Sequence, residues 1–233
     1  MSNCNEMKKW VTAGGTTIYR VLPGRSNVFL VSGGGKNMLV DTSPANRWGA
    51  LCRRLKQLNI NRLDYLVLTH SHFDHAANAS KVRETFGAKV LVHESEEVVL
   101  SAGENVMIKG SNAFSMILVN LFAKSLLRRR KYEPCAADLI VNSSFSFPGE
   151  GLRIYLVHTP GHTHGSVSLI VDDEIALVGD AMFGVFPWSV LPPYAENVDL
   201  LRESWETLLA TGCNLFLPSH GSSRTRAQLE RRK

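Results

Sequence analysis

Leu63-Asp64-Tyr65-Leu66-Val67-Leu68-Thr69-His70-Ser71-His72-Phe73-Asp74-His75 is the stretch from which the fold is read. Its first part is a nearly continuous apolar run, the pattern of a strand covered on both faces. A strand of that kind belongs to a sheet lying between other layers. Its last six positions hold four groups able to bind a metal: His70, His72, Asp74 and His75. His70 and His72 are two apart, so an extended backbone points both to one side. Asp74 and His75 come where the chain turns into a helix. Neutral imidazole and carboxylate are the donors that Zn²⁺ and similar divalent ions take. Four such groups in six positions would repel one another or stay unsatisfied without an ion.

Working outward, residues 16–22, 27–32 and 36–41 read as strands. Pro23-Gly24 separates the first pair and Gly33-Gly34-Gly35 the second, so antiparallel hairpins are expected. Trp48, Leu51, Leu55 and Leu58 place one apolar face on a helix over 45–58. The strand 63–70 is followed by a helix over 76–86 and a strand over 88–93. In the second half, 152–158, 166–172 and 174–180 read as strands, 200–210 as a helix, 214–220 as a strand and 224–232 as a closing helix. Two sheets packed face to face with helices outside would bury these runs. With no linker between the halves, 1–233 reads as a single domain with a helical insertion at about 100–145. Within it, AFSMILVNLFAKSLLRRRK (113–131) is apolar almost all round a helix, so something must cover it. A lid over the active site is the first expectation, a homodimer contact the second, and membrane-surface docking through Arg128 to Lys131 the third.

Three more candidate ligands stand at strand ends: His162 in Thr159-Pro160-Gly161-His162, Asp180 in Val178-Gly179-Asp180 and His220 in Pro218-Ser219-His220-Gly221. The glycine beside each would let the backbone turn tightly near a metal. Any one of them alone would be an ordinary satisfied polar residue. Together with the 70–75 loop they make five His and two Asp, enough for two ions.

His70-Ser71-His72-Phe73-Asp74-His75 resembles the HxHxDH motif of the metallo-β-lactamase superfamily, and His162, Asp180 and His220 match its later metal-binding motifs in order. Asp41, in Leu39-Val40-Asp41-Thr42, resembles its early strand-end Asp, which supports the site from behind the ligands. The resemblance runs from about residue 27 to 222, the insertion excepted. It implies an α/β (α+β) chain folded as a four-layer αββα sandwich of two mixed sheets. It also implies that His70, His72 and His162 hold one ion, that Asp74, His75 and His220 hold the other, and that Asp180 bridges them. Zinc is the expected metal, with Fe or Mn as alternatives. A metal-bound hydroxide would attack the substrate, and Asp74 would pass a proton to the leaving group.

Departures from the branches of this superfamily narrow the reaction. Antibiotic-hydrolysing members place Cys or Ser where this chain has Asp180, and the acid resembles the glyoxalase II, lactonase and nuclease branches instead. Glyoxalase II and the iron persulfide dioxygenases follow this Asp with a Gly- and Arg-containing stretch, whereas residues 181–188 here read AMFGVFPW. Acyl-homoserine lactonases have Tyr three residues after it, where this chain has Phe183. Residues 182–194, with Phe183 and Trp188, are expected to line a hydrophobic substrate pocket, packing in the core being the even alternative. Tyr194 is weighed as a donor to substrate, and His164 as a neighbour of the ligands; a surface or structural place is the other reading of each.

Lys plus Arg is 26 and Asp plus Glu 21, a net +5. Seven of the basic residues lie in two runs, Arg128 to Lys131 and Arg231 to Lys233. Without them the chain has 19 basic and 21 acidic residues, so there is no whole-surface field for nucleic acid. Cys4, Cys52, Cys135 and Cys213 form no CxxC and read as free thiols of a reducing compartment. The N-terminus shows no apolar signal segment, so a cytoplasmic protein is expected. The reading is a dinuclear-metal-dependent hydrolase attacking the carbonyl of an ester, thioester or lactone, a small molecule with an apolar portion. The alternatives are a phosphodiesterase or ribonuclease-like hydrolase and an iron-dependent oxidoreductase or dioxygenase.

Overall fold

Alternate residues of the apolar strands face two different cores. In the computed structural model, which describes residues 7–24, 26–105, 110–111, 131–149 and 153–231, one sheet orders seven strands as β1 to β7. These are Lys9–Val11, Thr17–Leu22, Val28–Gly33, Lys36–Val40, Tyr65–Val67, Lys89–His93 and Leu139–Val141. β1 to β4 run antiparallel to their neighbours, and β4 to β7 parallel. The second sheet holds β8 (Phe145–Ser146), β9 (Ile154–His158), β10 (Val167–Val171), β11 (Ile175–Gly179), β12 (Leu215–Pro218) and β13 (Arg224–Thr225), in spatial order β13-β12-β11-β10-β9-β8. Only β11 and β12 are parallel there. Both sheets are therefore mixed.

The central core lies between the sheets. Phe29, Val31, Met38, Val40, Val67 and Leu91 from the first meet Ile154, Leu156, Leu169, Val171, Leu177 and Leu217 from the second. The residues between them point the other way, as the two-residue period of a strand demands. Leu30, Leu39, Leu66, Val90 and Val92 are covered by Leu51 and Leu55 of helix α1 (Trp48–Gln57) and by Val82 and Phe86 of a second helix, α3 (Ala79–Phe86). Ile170, Ala176, Val178 and Phe216 are covered by Leu201, Trp205 and Leu208 of α5 (Val198–Ala210), with Leu229 of α6 (Arg226–Glu230) alongside. This is the αββα sandwich expected from the apolar runs.

Some expectations are corrected. The strand expected over 63–70 is regular only over Tyr65–Val67, because the chain bends after Leu68 to bring Thr69 and His70 into the sheet edge. The helix expected over 76–86 is two helices, α2 (Phe73–Ala76) and α3, so Asp74 and His75 lie on a helix of their own. Asn78 sits at the break, and its Nδ2 donates to the carbonyls of Thr42, Ser43 and Pro44. The expected insertion is narrower at both ends. Glu94–Ala102 is a helix, α4, and Leu139–Val141 and Phe145–Ser146 are sheet strands. Acidic residues in the first turn and Gly103 at φ +63° after the last are the start and stop signals that mark α4. Residues 106–109 and 112–130 of the stretch, most of the segment read as a lid, homodimer contact or membrane-surface element, lie outside the described residues. Among the described residues no helix is long and apolar enough to cross a membrane.

The connections that follow β4, β5, β9, β11 and β12 all open at one edge of the sandwich. They carry Asp41, the 69–75 loop, His162, Asp180 and His220 respectively.

Candidate metal centre

Three imidazole nitrogens converge where the two sheets meet this edge. His70 Nε2 lies 3.0 Å from His72 Nδ1, which is 3.1 Å from His162 Nε2. The rings cross at 80° to 84°, so they are aimed at a common point and not stacked. Tetrahedral nitrogen donors on zinc stand about 3.3 Å apart, given bonds of about 2.0–2.1 Å. A second cluster stands beside the first. His220 Nε2 is 3.5 Å from Asp74 Oδ2, and His75 Nε2 is 3.8 Å from Asp74 Oδ1. Asp180 touches both clusters, at 3.6 Å from His162, 3.7 Å from His75 and 3.3 Å from His220. His70, His72 and His162, then His70, His75 and Asp180, then Asp74, His75 and His220 each form a group whose ligand atoms could share an ion.

The outer nitrogens of these rings are fixed from behind. Asp41 is buried, and its Oδ2 accepts from His75 Nδ1 at 2.8 Å and from Ser219 Oγ at 3.0 Å. Its Oδ1 accepts from Thr69 N at 2.9 Å, and Thr69 Oγ1 in turn meets His70 Nδ1 at 3.1 Å. His162 Nδ1 donates to the Tyr194 carbonyl at 2.8 Å. In each case the remaining ring nitrogen faces the centre, the arrangement by which supporting residues set the tautomer of a metal-binding His. Two of the inward atoms, His75 Nε2 and Asp180 Oδ1, are buried without a hydrogen-bond partner. Such atoms are costly to bury, and a cation between them removes that cost. The donor set fits a divalent ion.

Electrostatics point the same way. Burial, reinforced by the neighbouring imidazoles, holds His70 and His72 well below the ordinary histidine range, so both keep their lone pairs. Burial also disfavours charge on His75, but Asp41, Asp180 and Asp74 outweigh it and raise that group to about 10. His220 is raised too, Asp180 overcoming its burial. Burial works against ionisation of Asp180, yet His220 and His75 hold its carboxyl far below the usual range. The site thus keeps neutral nitrogen at His70 and His72, while its carboxylates stabilise positive charge at His75 and His220, where a bound metal cation would take the place of the proton.

Sheet-end glycines make the convergence possible. Gly179 has φ +54°, and a Cβ there would lie 2.7 Å from the Thr69 side chain. Gly161 has φ +128°, and a Cβ would lie 2.4 Å from the backbone of Leu201 in α5. Both positions need left-handed backbone and close approach at once. Trp205 of α5 adds a bond from its Nε1 to the Ala181 carbonyl at 2.7 Å, next to Asp180.

All seven sequence-predicted ligands and Asp41 come together here, as does Phe183, whose ring centre is 5.0 Å from that of His220. Three other predicted residues are placed differently. His164 is 72% exposed at the side chain and lies 3.7 Å from Glu196, directed to solvent and not to the ligands. Trp188 is 65% exposed and stacks on Phe186. It therefore does not pack in the core; it lines a small pocket with Val190, Leu191, Arg202 and Trp205 that includes none of the metal-binding residues. Tyr194 contributes its backbone carbonyl to His162, a role invisible in a side-chain reading. Thr69, Ser219, Glu96 and Tyr132 were missed. Thr69 and Ser219 adjoin ligands in sequence, but Glu96 and Tyr132 reach the site only through long-range bonds that no local pattern announces.

Comparison with known proteins agrees with the geometry. The family model described as the metallo-beta-lactamase superfamily matches residues 21–220. A protein of Methanocaldococcus jannaschii described as a probable metallo-hydrolase is 29% identical over 202 residues, covering 84% of this chain and 87% of the relative. An atrochrysone carboxyl ACP thioesterase of Aspergillus fumigatus is 22% identical over 199 residues, 84% of this chain and 51% of the fungal protein. The solved structure of the BLEG-1 B3 metallo-beta-lactamase superposes with a TM-score of 0.69 at 22% identity, covering 96% of this chain and 95% of that one, and so shares the fold. A two-sheet sandwich with a His- and Asp-rich edge, matched by the family model over 21–220, makes this chain a member of the metallo-β-lactamase superfamily.

Proposed function

We propose that this metal-dependent hydrolase cleaves an ester, thioester or lactone with the help of two divalent ions, zinc in the first instance. The observation that carries the reading is the position of Asp180, within 3.7 Å of ligands from both clusters. His70, His72 and His162 would hold one ion, Asp74, His75 and His220 the other, and Asp180 would join them. Such ions, when bound, supply Lewis acidity and lower the pKa of water to about 7. The chain's own side chains do the rest. Asp180 stays ionised, so it can face two cations without a competing proton. Asp74 is partly exposed at the mouth, where its carboxylate can accept a proton and hand it to a leaving group. Phe183 lies beside the His220 ring and gives that side of the site an apolar wall.

The thioesterase relative supports a thioester as one of the three carbonyl classes. A cleft of about 630 Å³, lined by Phe73, Ala77, Ser43, Arg47 and Tyr132 among others, adjoins the ligand-bearing loop and is of small-molecule size. We take the 233 residues as one domain acting in the cytoplasm, a reading that the free thiols of Cys52, Cys135 and Cys213 support.

Metal analysis of the purified protein with a panel of p-nitrophenyl esters, thioesters, lactones and bis-p-nitrophenyl phosphate tests the proposal. Two zinc equivalents and turnover of a carbonyl substrate are expected. Turnover of the phosphodiester alone, or iron with oxygen consumption, would overturn it.

A further inference from the structure

Ser71, between His70 and His72, has every polar atom held by two residues from outside its loop. Its N–H donates to Glu96 Oε2 at 2.8 Å, and its Oγ donates to the Glu96 carbonyl at 3.1 Å. Its carbonyl accepts from the Tyr132 hydroxyl at 2.8 Å. Glu96 is only 2% exposed. Among the described residues no Lys or Arg makes an ion pair with it, so the bond its carboxylate accepts from Ser71 N offsets part of the cost of burying it.

The same residue meets the loop that carries His162. A Cβ on Gly165 would lie 2.4 Å from Glu96 Cγ and 2.8 Å from its Oε1, so the lack of a side chain there admits the carboxylate. A second link runs in parallel. His93, which caps α4 by accepting from Ser95 N, stacks on His158 at 4.2 Å and 12°. His158 Nε2 donates to the His164 carbonyl at 2.8 Å. The first turn of α4 therefore grips both loops that supply His70, His72 and His162. The hydrogen bonds of Glu96 described above do not reach Asp74, His75 or His220.

We propose that Glu96 is a positioning residue that holds the two loops bearing His70, His72 and His162 in register, so that one half of the metal centre depends on it and the other does not. This rests on the metal-centre reading above. Supporting residues of this kind typically change metal affinity by about 10- to 100-fold.

The test is a cobalt(II) titration of metal-free protein, followed by visible absorption, with no substrate present. In Glu96→Ala, one of the two binding events is expected to weaken by about 10- to 100-fold, with a change in its ligand-field bands, while the other stays close to wild type. Glu96→Gln keeps an oxygen to accept from Ser71 N and is expected to restore the weakened event. Tyr132→Phe keeps the ring and deletes one hydroxyl, and it should weaken the same event by a smaller factor. Equal weakening of both events in Glu96→Ala, or an unmoved curve, overturns the proposal. If Glu96→Ala does not fold, the Tyr132→Phe curve decides, and an unchanged one overturns it. Wild-type protein that takes up no cobalt would sink the metal-centre reading itself, whereas two-ion uptake with an unmoved Glu96→Ala curve sinks only the role of Glu96.

Discussion

At the scale of single residues, Asp180 is the point on which the two clusters depend. Replacing it with Asn keeps the shape and removes the charge that faces His75, His162 and His220. The expected result is loss of bound metal and of turnover together, measured by metal analysis and rate. The loss should exceed the 10- to 100-fold that follows removal of a supporting partner. Gly179→Ala should act on the same carboxylate through the backbone. Its Cβ would meet Thr69 in a left-handed conformation, and a cost of about 1–3 kcal/mol in urea unfolding is expected. The ligands themselves were legible because His and Asp recur at strand ends beside glycine. Of the groups that orient them, Asp41 was legible through the resemblance, but its bond to Ser219 across 178 positions was not, and Ser71 is tied to Glu96 and Tyr132 only once the chain has folded. His164, two residues from a ligand in sequence, takes the surface place that was the other reading of it.

At the scale of elements, the helices hold the loops that hold the ligands. Trp205→Phe in α5 deletes the bond to the Ala181 carbonyl and should cost about 1 kcal/mol, read from thermal unfolding. On the other flank, Asp138 joins α3 to the first sheet. Its carboxylate accepts from Arg83 at 2.8 and 3.0 Å and from Val90 N at 2.9 Å. The Arg83 hydrogen bond, partly opposed by burial, holds its carboxyl below the ordinary value. A depressed carboxyl pKa gives stability above the unfolded value of about 3.9 that is lost as pH falls through the folded value. Because the pair is partly exposed, Asp138→Asn should cost at most about 1 kcal/mol at pH 7. Its unfolding free energy should converge with wild type in strong acid. Long apolar strands and the helix of Trp48, Leu51 and Leu55 were readable from pattern. The three-residue strands β1 and β7 and the split after Ala76 were not, because so few residues carry no period and Asn78 breaks the helix through tertiary bonds.

Across the whole molecule, two sheets with both faces covered bring ligands separated by up to 150 positions to one edge. That arrangement could be anticipated from the order of strands and ligands. Bound ions would link the sheets, since His70, His72 and His75 follow the first and His162, Asp180 and His220 the second. Stripping metal with a chelator should lower the melting temperature. Added zinc should raise stability by about 4 kcal/mol at a thousand times its dissociation constant. The most direct measurement is anomalous diffraction from crystals of the protein grown with zinc. Two peaks about 3.5–4 Å apart, one among His70, His72 and His162, the other among Asp74, His75 and His220, with Asp180 between them, are predicted. A single peak remote from Asp180, or none within reach of these side chains, would contradict the account.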